Sequence, residues 1–234
     1  MKPSLPIIPL ENLAIAFIPV LISIAVLYRW SLNGKTALYA VARMLLQLML
    51  IGYALTFIFK SDRSYFVLAV LALMLLVASW ISLHHIQHRR KDAFFKVLFA
   101  ITIGGVSTLI LVTQAVLDME VWYQPNIVIP IAGMIFANSM NAVSLAAERF
   151  ESEFRKDDDY LIARNTSLKA SLIPLINSLL AVGLVSIPGM MTGQILSGID
   201  PLIAARYQIM VMCMIFGAAS ISSICYLTML KPKA

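Results

Sequence analysis

Charge is what this chain has least of. Asp, Glu, Lys and Arg together make up 13% of its 234 residues, where about 25% is usual in a soluble domain. With 60% hydrophobic residues and a mean hydropathy of +0.87, it cannot fold as an ordinary soluble domain. Cysteine is scarce too. Cys213 and Cys225 fall on one predicted helix, where twelve residues at 1.5 Å rise hold them about 18 Å apart, far beyond the roughly 7 Å a disulfide tolerates. They read as packing residues and do not reveal a redox compartment. No acidic side chain lies inside a predicted span, which weighs against an ion-driven carrier needing a proton relay or sodium site. No lysine falls between Lys169 and Lys231, which excludes a retinal Schiff base on a late span. No basic run is interleaved with base-stacking aromatics, so the net charge of +6 is no sign of a nucleic-acid partner.

One glycine is missing where it would matter. Gly34-Lys35-Thr36 has the form of the end of a phosphate-binding loop, but that pattern needs another glycine five residues earlier. Arg29 stands there. The chain therefore has no nucleotide motif of its own, and any ATP must be handled by another polypeptide.

What is present is long apolar runs. Seven spans are predicted, at about Leu13–Tyr28, Ala37–Phe59, Tyr65–Leu83, Val97–Leu117, Ile127–Ala147, Ser171–Ile187 and Tyr207–Leu230, with six or eight as alternatives. The first run ends at Arg29 rather than at a small-residue cleavage site, so it reads as a retained span. The expected fold is an all-α polytopic bundle forming a single membrane domain over residues 1–234. Placing the N-terminus outside and the C-terminus inside puts fourteen Lys and Arg on the inner side and four on the outer, as the positive-inside rule requires. The largest polar insert, about residues 148–170, then faces the cytoplasm. It reads either as a ridge for a partner, with Phe150 and Phe154 four apart beside Glu148 and Arg149, or as a solvated helical hairpin turning at Asp157–Asp159.

The stretch Ser171–Tyr207 is apolar enough to enter a bilayer, yet carries Pro174, Gly183, Pro188, Gly189, Gly193, Gly198 and Pro201. Breakers at that depth free backbone groups that neighbouring protein or a wet cavity must satisfy, and transporters often hold substrate at such breaks. The segment after Pro188 reads as bent or re-entrant. Gly189, Gly193 and Ser197 form a small-residue face suited to close helix packing, within the chain or across a dimer. Polar side chains inside spans are either glue between helices or the lining of a path. Arg43, Gln47, Asn138, Met140, Asn141, Asn177 and Gln194 are the candidates for a transport path or its gate. His84 and His88 share a helical face at a metal-binding spacing, and Met190 and Met191 offer soft thioethers. Both pairs have ordinary readings as interfacial or packing residues.

Four blocks carry a resemblance. They are Val41-Ala-Arg43-Met-Leu-Leu-Gln47 through Gly52-Tyr53; Pro130-Ile-Ala-Gly133-Met134 through Asn138-Ser-Met140-Asn141; Ile173-Pro174 through Asn177 into Pro188-Gly189-Met190-Met191-Thr-Gly193; and Gly198-Ile-Asp200-Pro201 through Arg206-Tyr207-Gln208-Ile209. In these the chain resembles the permease subunits of FetB-type ABC transporters, a family that includes bacterial iron exporters and plant aluminium-tolerance half-transporters. The resemblance implies a membrane subunit, not itself an enzyme, that dimerises in the membrane, which is the cytoplasmic membrane if the source is bacterial. A separate ABC ATPase using ATP and Mg would dock on its cytoplasmic face, at Glu148, Arg149, Phe150 and Phe154. Export of iron or another metal is the implied activity. A nucleotide-sugar or other small-molecule permease, or a non-transporting scaffold that keeps the fold, are the alternatives. The resemblance breaks in one place: residues 148–169 are shorter than the family's loop and contain no glycine.

Overall fold

The computed structural model describes residues 8–58, 63–83, 90–157 and 159–231. Among them every regular element is helical, as expected. Contacts divide the chain into two compact units, Met1–Ser61 and Asp62–Ala234.

The first unit holds α1 (Leu10–Ile15), α2 (Ile18–Arg29) and α3 (Gly34–Ile58). Pro19 near the start of α2 has no N–H to donate, which suits a first helical turn and explains the restart after α1. A tight turn with Ser31 at φ 56° leads into α3. A Cβ on Gly34 would stand 2.8 Å from a Tyr28 ring carbon. The glycine of the false phosphate loop is thus a packing glycine beneath an aromatic ring.

In the second unit α4 (Ser64–Ser82) is followed by α5 (Arg90–Ile101), a π-helical turn (Thr102–Val106), α6 (Ser107–Ile110) and a second π-helical turn (Leu111–Val116). Widened turns leave carbonyls poorly paired, and hydroxyls cover them. Thr102 Oγ1 donates to the Leu98 carbonyl at 2.7 Å, Thr108 Oγ1 to that of Gly104 at 2.7 Å, and Thr113 Oγ1 to that of Leu109 at 2.9 Å. Next come α7 (Pro125–Asp157), α8 (Tyr160–Ala181), α9 (Gly189–Leu196) and α10 (Pro201–Thr228). Aspartates set two of these starts. The Asp159 carboxylate accepts from the Leu161 N–H at 2.7 Å, and Asp200 accepts from the Leu202 N–H at 2.8 Å with Pro201 at the first helical position.

Six stretches are long and apolar enough to cross a bilayer: Leu10–Arg29, Gly34–Tyr53, Ser64–Ser82, Asp92–Val116, Pro125–Arg155 and Pro201–Thr228. Each corresponds to an expected span. The seventh, Ser171–Ile187, is not among them, because α8 stops at Ala181 and begins in the polar residues that follow Tyr160. Connectivity nevertheless carries the chain across the bundle there. The Tyr160 hydroxyl donates to the Leu227 carbonyl at 3.0 Å, so the start of α8 and the end of α10 share one end of the bundle. α10 is 28 residues long and starts at the other end. Residues 161–200 must span the difference, and α8 with 22 residues covers about 33 Å at 1.5 Å per residue.

The end that holds Tyr160 and Leu227 also holds Lys96, which shares a hollow with Phe95, Phe99 and Met229. Arg149, Arg155, Arg164 and Lys231 gather there too. At the opposite end, where Val116 and Arg206 line one groove, the neighbouring loop brings Asp118 and Glu120.

The broken stretch closes on itself. Gly183 and Gly198 adopt φ of 82° and 89°, which glycine reaches without a Cβ penalty. The Val185 N–H donates to the Ala181 carbonyl at 2.8 Å and the Gly183 N–H to that of Ser186 at 2.9 Å. The freed backbone groups are therefore paired within the turn, with no call on a neighbour or cavity. Its apolar tip is open: Leu184 is 90% exposed.

Candidate functional site

Among the glycines of the second unit, the closest approach lies between the first π turn and α10. A Cβ on Gly104 would stand 2.3 Å from Ser222 Oγ and 2.6 Å from the Ala218 carbonyl oxygen. One residue on, a Cβ on Gly105 would stand 2.9 Å from the Phe136 ring of α7. Two adjacent glycines thus let three helices meet, each pressed on a different neighbour. The π turn is what aims both of them inward.

Buried polar groups lie along these same helices. Ser139 on α7, and Ser222, Ser223 and Gln208 on α10, are all buried. The three hydroxyls and the Gln208 Oε1 have no hydrogen-bond partner among the described residues. A buried polar group left unpaired costs about 1–3 kcal/mol, so several on one pair of packed helices weaken that pairing. By contrast Ser79 and Ser82 on α4 are satisfied, donating to the carbonyls of Leu75 and Ser79, each at 2.8 Å. With Gln194 on α9 a further one, the unsatisfied groups fall mostly on α7 and α10. An opening between them would expose a row of hydroxyl and amide groups, the lining that a polar solute needs.

Asn138, Met140 and Asn141 follow Ser139 around α7, but their roles differ. Asn138 Nδ2 donates to the Met134 carbonyl one turn back, at 2.8 Å, so this amide is spent within its own helix. Met140 is half-buried, and Asn141 is exposed. Asn177 is exposed on α8, and Gln194 on α9 has a buried, unpartnered Oε1. No hydrogen bond joins these candidates to one another among the described residues. Arg43 and Gln47 lie one turn apart on α3 of the first unit, the former half-buried and the latter exposed.

The Gly189, Gly193 and Ser197 face is exposed, and a Cβ on either glycine would meet nothing within 4 Å. The reading of close packing within the chain is corrected here. Close packing belongs to Gly104 and Gly105, which a bare Gly-Gly pair in a long apolar run does not announce. Met190 and Met191 belong to the same short helix, the first exposed and the second half-buried. Among the described residues no three His, Cys, Asp or Glu side chains converge to hold a metal ion. His84 and His88 lie outside the described residues.

At the basic end, α7 and α8 form the expected helical hairpin, turning between Asp157 and Asp159. Its aromatic residues correct the ridge reading. Phe150 is 8% exposed, stacked on Phe154 with ring centres 5.4 Å apart and edge-on to Tyr160 at 6.1 Å. These rings face inward and clasp the hairpin, so Phe150 cannot be an outward contact in this conformation. Arg164 caps the cluster, its guanidinium 5.8 Å from the Tyr160 ring centre. Outward stand Glu148, Arg155, Leu161 and Ile162, while Arg149 pairs with Glu153 at 3.1 Å. Through the Tyr160 hydroxyl the hairpin is bonded to the last turn of α10.

The sequence pattern of the uncharacterised protein family UPF0014 matches residues 10–164 and 161–234. This chain belongs to the UPF0014 family. A UPF0014 membrane protein of Synechocystis is 37% identical over 212 residues, covering 83% of this chain and 80% of that protein. The Escherichia coli protein named "Probable iron export permease protein FetB" is 37% identical over 242 residues, covering 94% of this chain and 91% of the relative. The Arabidopsis thaliana protein ALUMINUM SENSITIVE 3 is 30% identical over 228 residues, covering 90% and 82%. No solved structure matches. The UPF0014 match comes in two pieces that overlap at residues 161–164, just past the hairpin turn.

Proposed function

We propose that this UPF0014 protein is the permease subunit of an ABC transporter that exports iron or another metal ion, energised by a separate ATPase. The observation that carries the reading is the hairpin clasp. A partner pressing on the outer surface of the α7–α8 hairpin moves a rigid aromatic cluster, and the Tyr160–Leu227 bond passes that movement to α10. α10 bears Gln208, Ser222 and Ser223, whose unpaired buried groups weaken its packing against its neighbours, the π turn at Gly104 among them. Export of iron is the activity in the name of the Escherichia coli relative. Gathering of basic residues at the hairpin end supports a cytoplasmic position for it, hence a C-terminus inside. ATP and Mg belong to the partner, since this chain has no phosphate loop. The open Gly189, Gly193 and Ser197 face supports a homodimer.

The partner contact consists of Glu148, Arg155, Leu161 and Ile162. Purified with its cognate ATPase, the wild-type protein is expected to raise ATP hydrolysis, and replacing Leu161 and Ile162 together by Asp is expected to abolish binding. Retained stimulation in that variant contradicts the contact. A second reading is a non-transporting scaffold that keeps the permease fold. Failure of the wild-type protein to bind any ATPase supports that reading.

A further inference from the structure

We infer that the groove between the second π turn and α10 is a binding site for one phospholipid, its acyl chain in the groove and its phosphate on Arg206. The groove holds about 590 Å³. Its walls are Leu111, Val112 and Val116 on one side and Ile209, Met214 and Ile221 on the other. From Arg206 to Ile221 it follows α10 for fifteen residues, about 22 Å at 1.5 Å per residue. One leaflet of a bilayer is about 15 Å of hydrocarbon, so a single acyl chain fits along it.

Chemistry along the groove is graded in the same sense. Arg206 is the one charged side chain in its lining, and it lies at one end. It has no ion pair or hydrogen bond among the described residues, and the nearby Asp200 is engaged in capping α10. α10 at 28 residues measures about 42 Å against about 30 Å of hydrocarbon. Its first turns therefore lie at headgroup depth, and Arg206 meets the phosphate layer there. A cation at that depth with an apolar channel running toward the bilayer centre matches an anionic lipid. Gly217 lies toward the far end from Arg206, and a Cβ there would meet nothing within 4 Å, so the groove is open there. Ser107 and Thr108 also line it, but Thr108 is spent on the Gly104 carbonyl at 2.7 Å, which leaves that wall without a free donor.

The site does not depend on what the protein transports. The test uses the full-length protein in nanodiscs of phosphatidylcholine with a minor fraction of phosphatidylglycerol carrying a photoactivatable acyl chain. Illumination is expected to label the α10 peptide that contains Met210, Cys213 and Gly217. Arg206→Gln is expected to lower labelling about five-fold, the worth of one basic residue near anionic lipid, and Arg206→Lys to restore most of it. Gly217→Phe fills the groove from an open position and is expected to abolish labelling while Arg206 is intact. Unfolding temperatures equal to wild type show that each variant folds, and a variant that does not is replaced by Gly217→Leu. Labelling unchanged in Arg206→Gln and Gly217→Phe, or spread evenly over all helices, overturns the proposal. So does crosslinking of groove residues to a second copy or to residues 10–53.

Discussion

Two pairs of glycines lie in the second unit, and they do opposite things. At Gly104 and Gly105 a single added carbon would collide with α10 and with the Phe136 ring, at 2.3 and 2.9 Å. At Gly189 and Gly193 the same carbon would touch nothing. By sequence pattern the second pair is the better packing motif, since its spacing places both glycines on one helical face. Yet the first pair does the packing. Small residues show where a close approach is allowed; what approaches is decided by the neighbouring helix. The π-turned rod, α7 and α10 are where the glycines bring helices into close contact. The turn after α8 and the short α9 present glycines, Leu184 and Val185 outward, as a surface awaiting something outside the chain.

Substitutions sharpen this contrast in a definite order. Gly104→Ala drives a methyl into the Ala218 carbonyl and Ser222, and a backbone neighbour cannot step aside. A loss of about 3 kcal/mol is expected, read as the largest fall in unfolding temperature, with Ser222→Ala restoring only part. Gly105→Ala meets an aromatic ring edge that can tilt, and about 1 kcal/mol is expected. Tyr160→Phe deletes the hydroxyl that donates to Leu227, for about 1 kcal/mol of stability. In the assembled transporter it is also expected to lower flux more than ATP hydrolysis, which a merely structural bond would not do. Gly193→Ala is expected to leave the isolated chain unchanged or more stable by up to about 1 kcal/mol, since alanine favours helix. In a bilayer it is expected to weaken dimer crosslinking. A Gly193→Ala loss larger than that of Gly104→Ala would reverse the comparison and break it.

Much of this was legible in the residues, and the exceptions have causes. Six spans follow from apolar length alone, because a bilayer leaves the chain few other options. The starts of α8 and α10 follow from Asp159 and from Asp200-Pro201, local chemistry that works without distant partners. The crossing by α8 hides because its first turns are polar and its last are apolar, so neither half passes as a full span. Phe150 and Phe154 have the right spacing for an exposed ridge, and only the return of α8 shows that they are roofed by Tyr160. Asn138 looked like a path residue, but an amide can bond its own helix. Ser139, Ser222 and Ser223 were hidden by the opposite effect: a serine in a membrane helix normally donates to the carbonyl a turn back, and only packing reveals that these do not.

The proposed coupling runs from a partner ATPase through the hairpin clasp to α10. The most direct measurement is ATP-dependent movement of iron in sealed vesicles that hold this protein and its ATPase, for the wild type and for Tyr160→Phe. Flux in the wild type is expected to vanish without the ATPase, and Tyr160→Phe is expected to continue hydrolysis with flux sharply reduced. Flux in the absence of any ATPase, or flux and hydrolysis falling in equal proportion in Tyr160→Phe, would contradict that coupling.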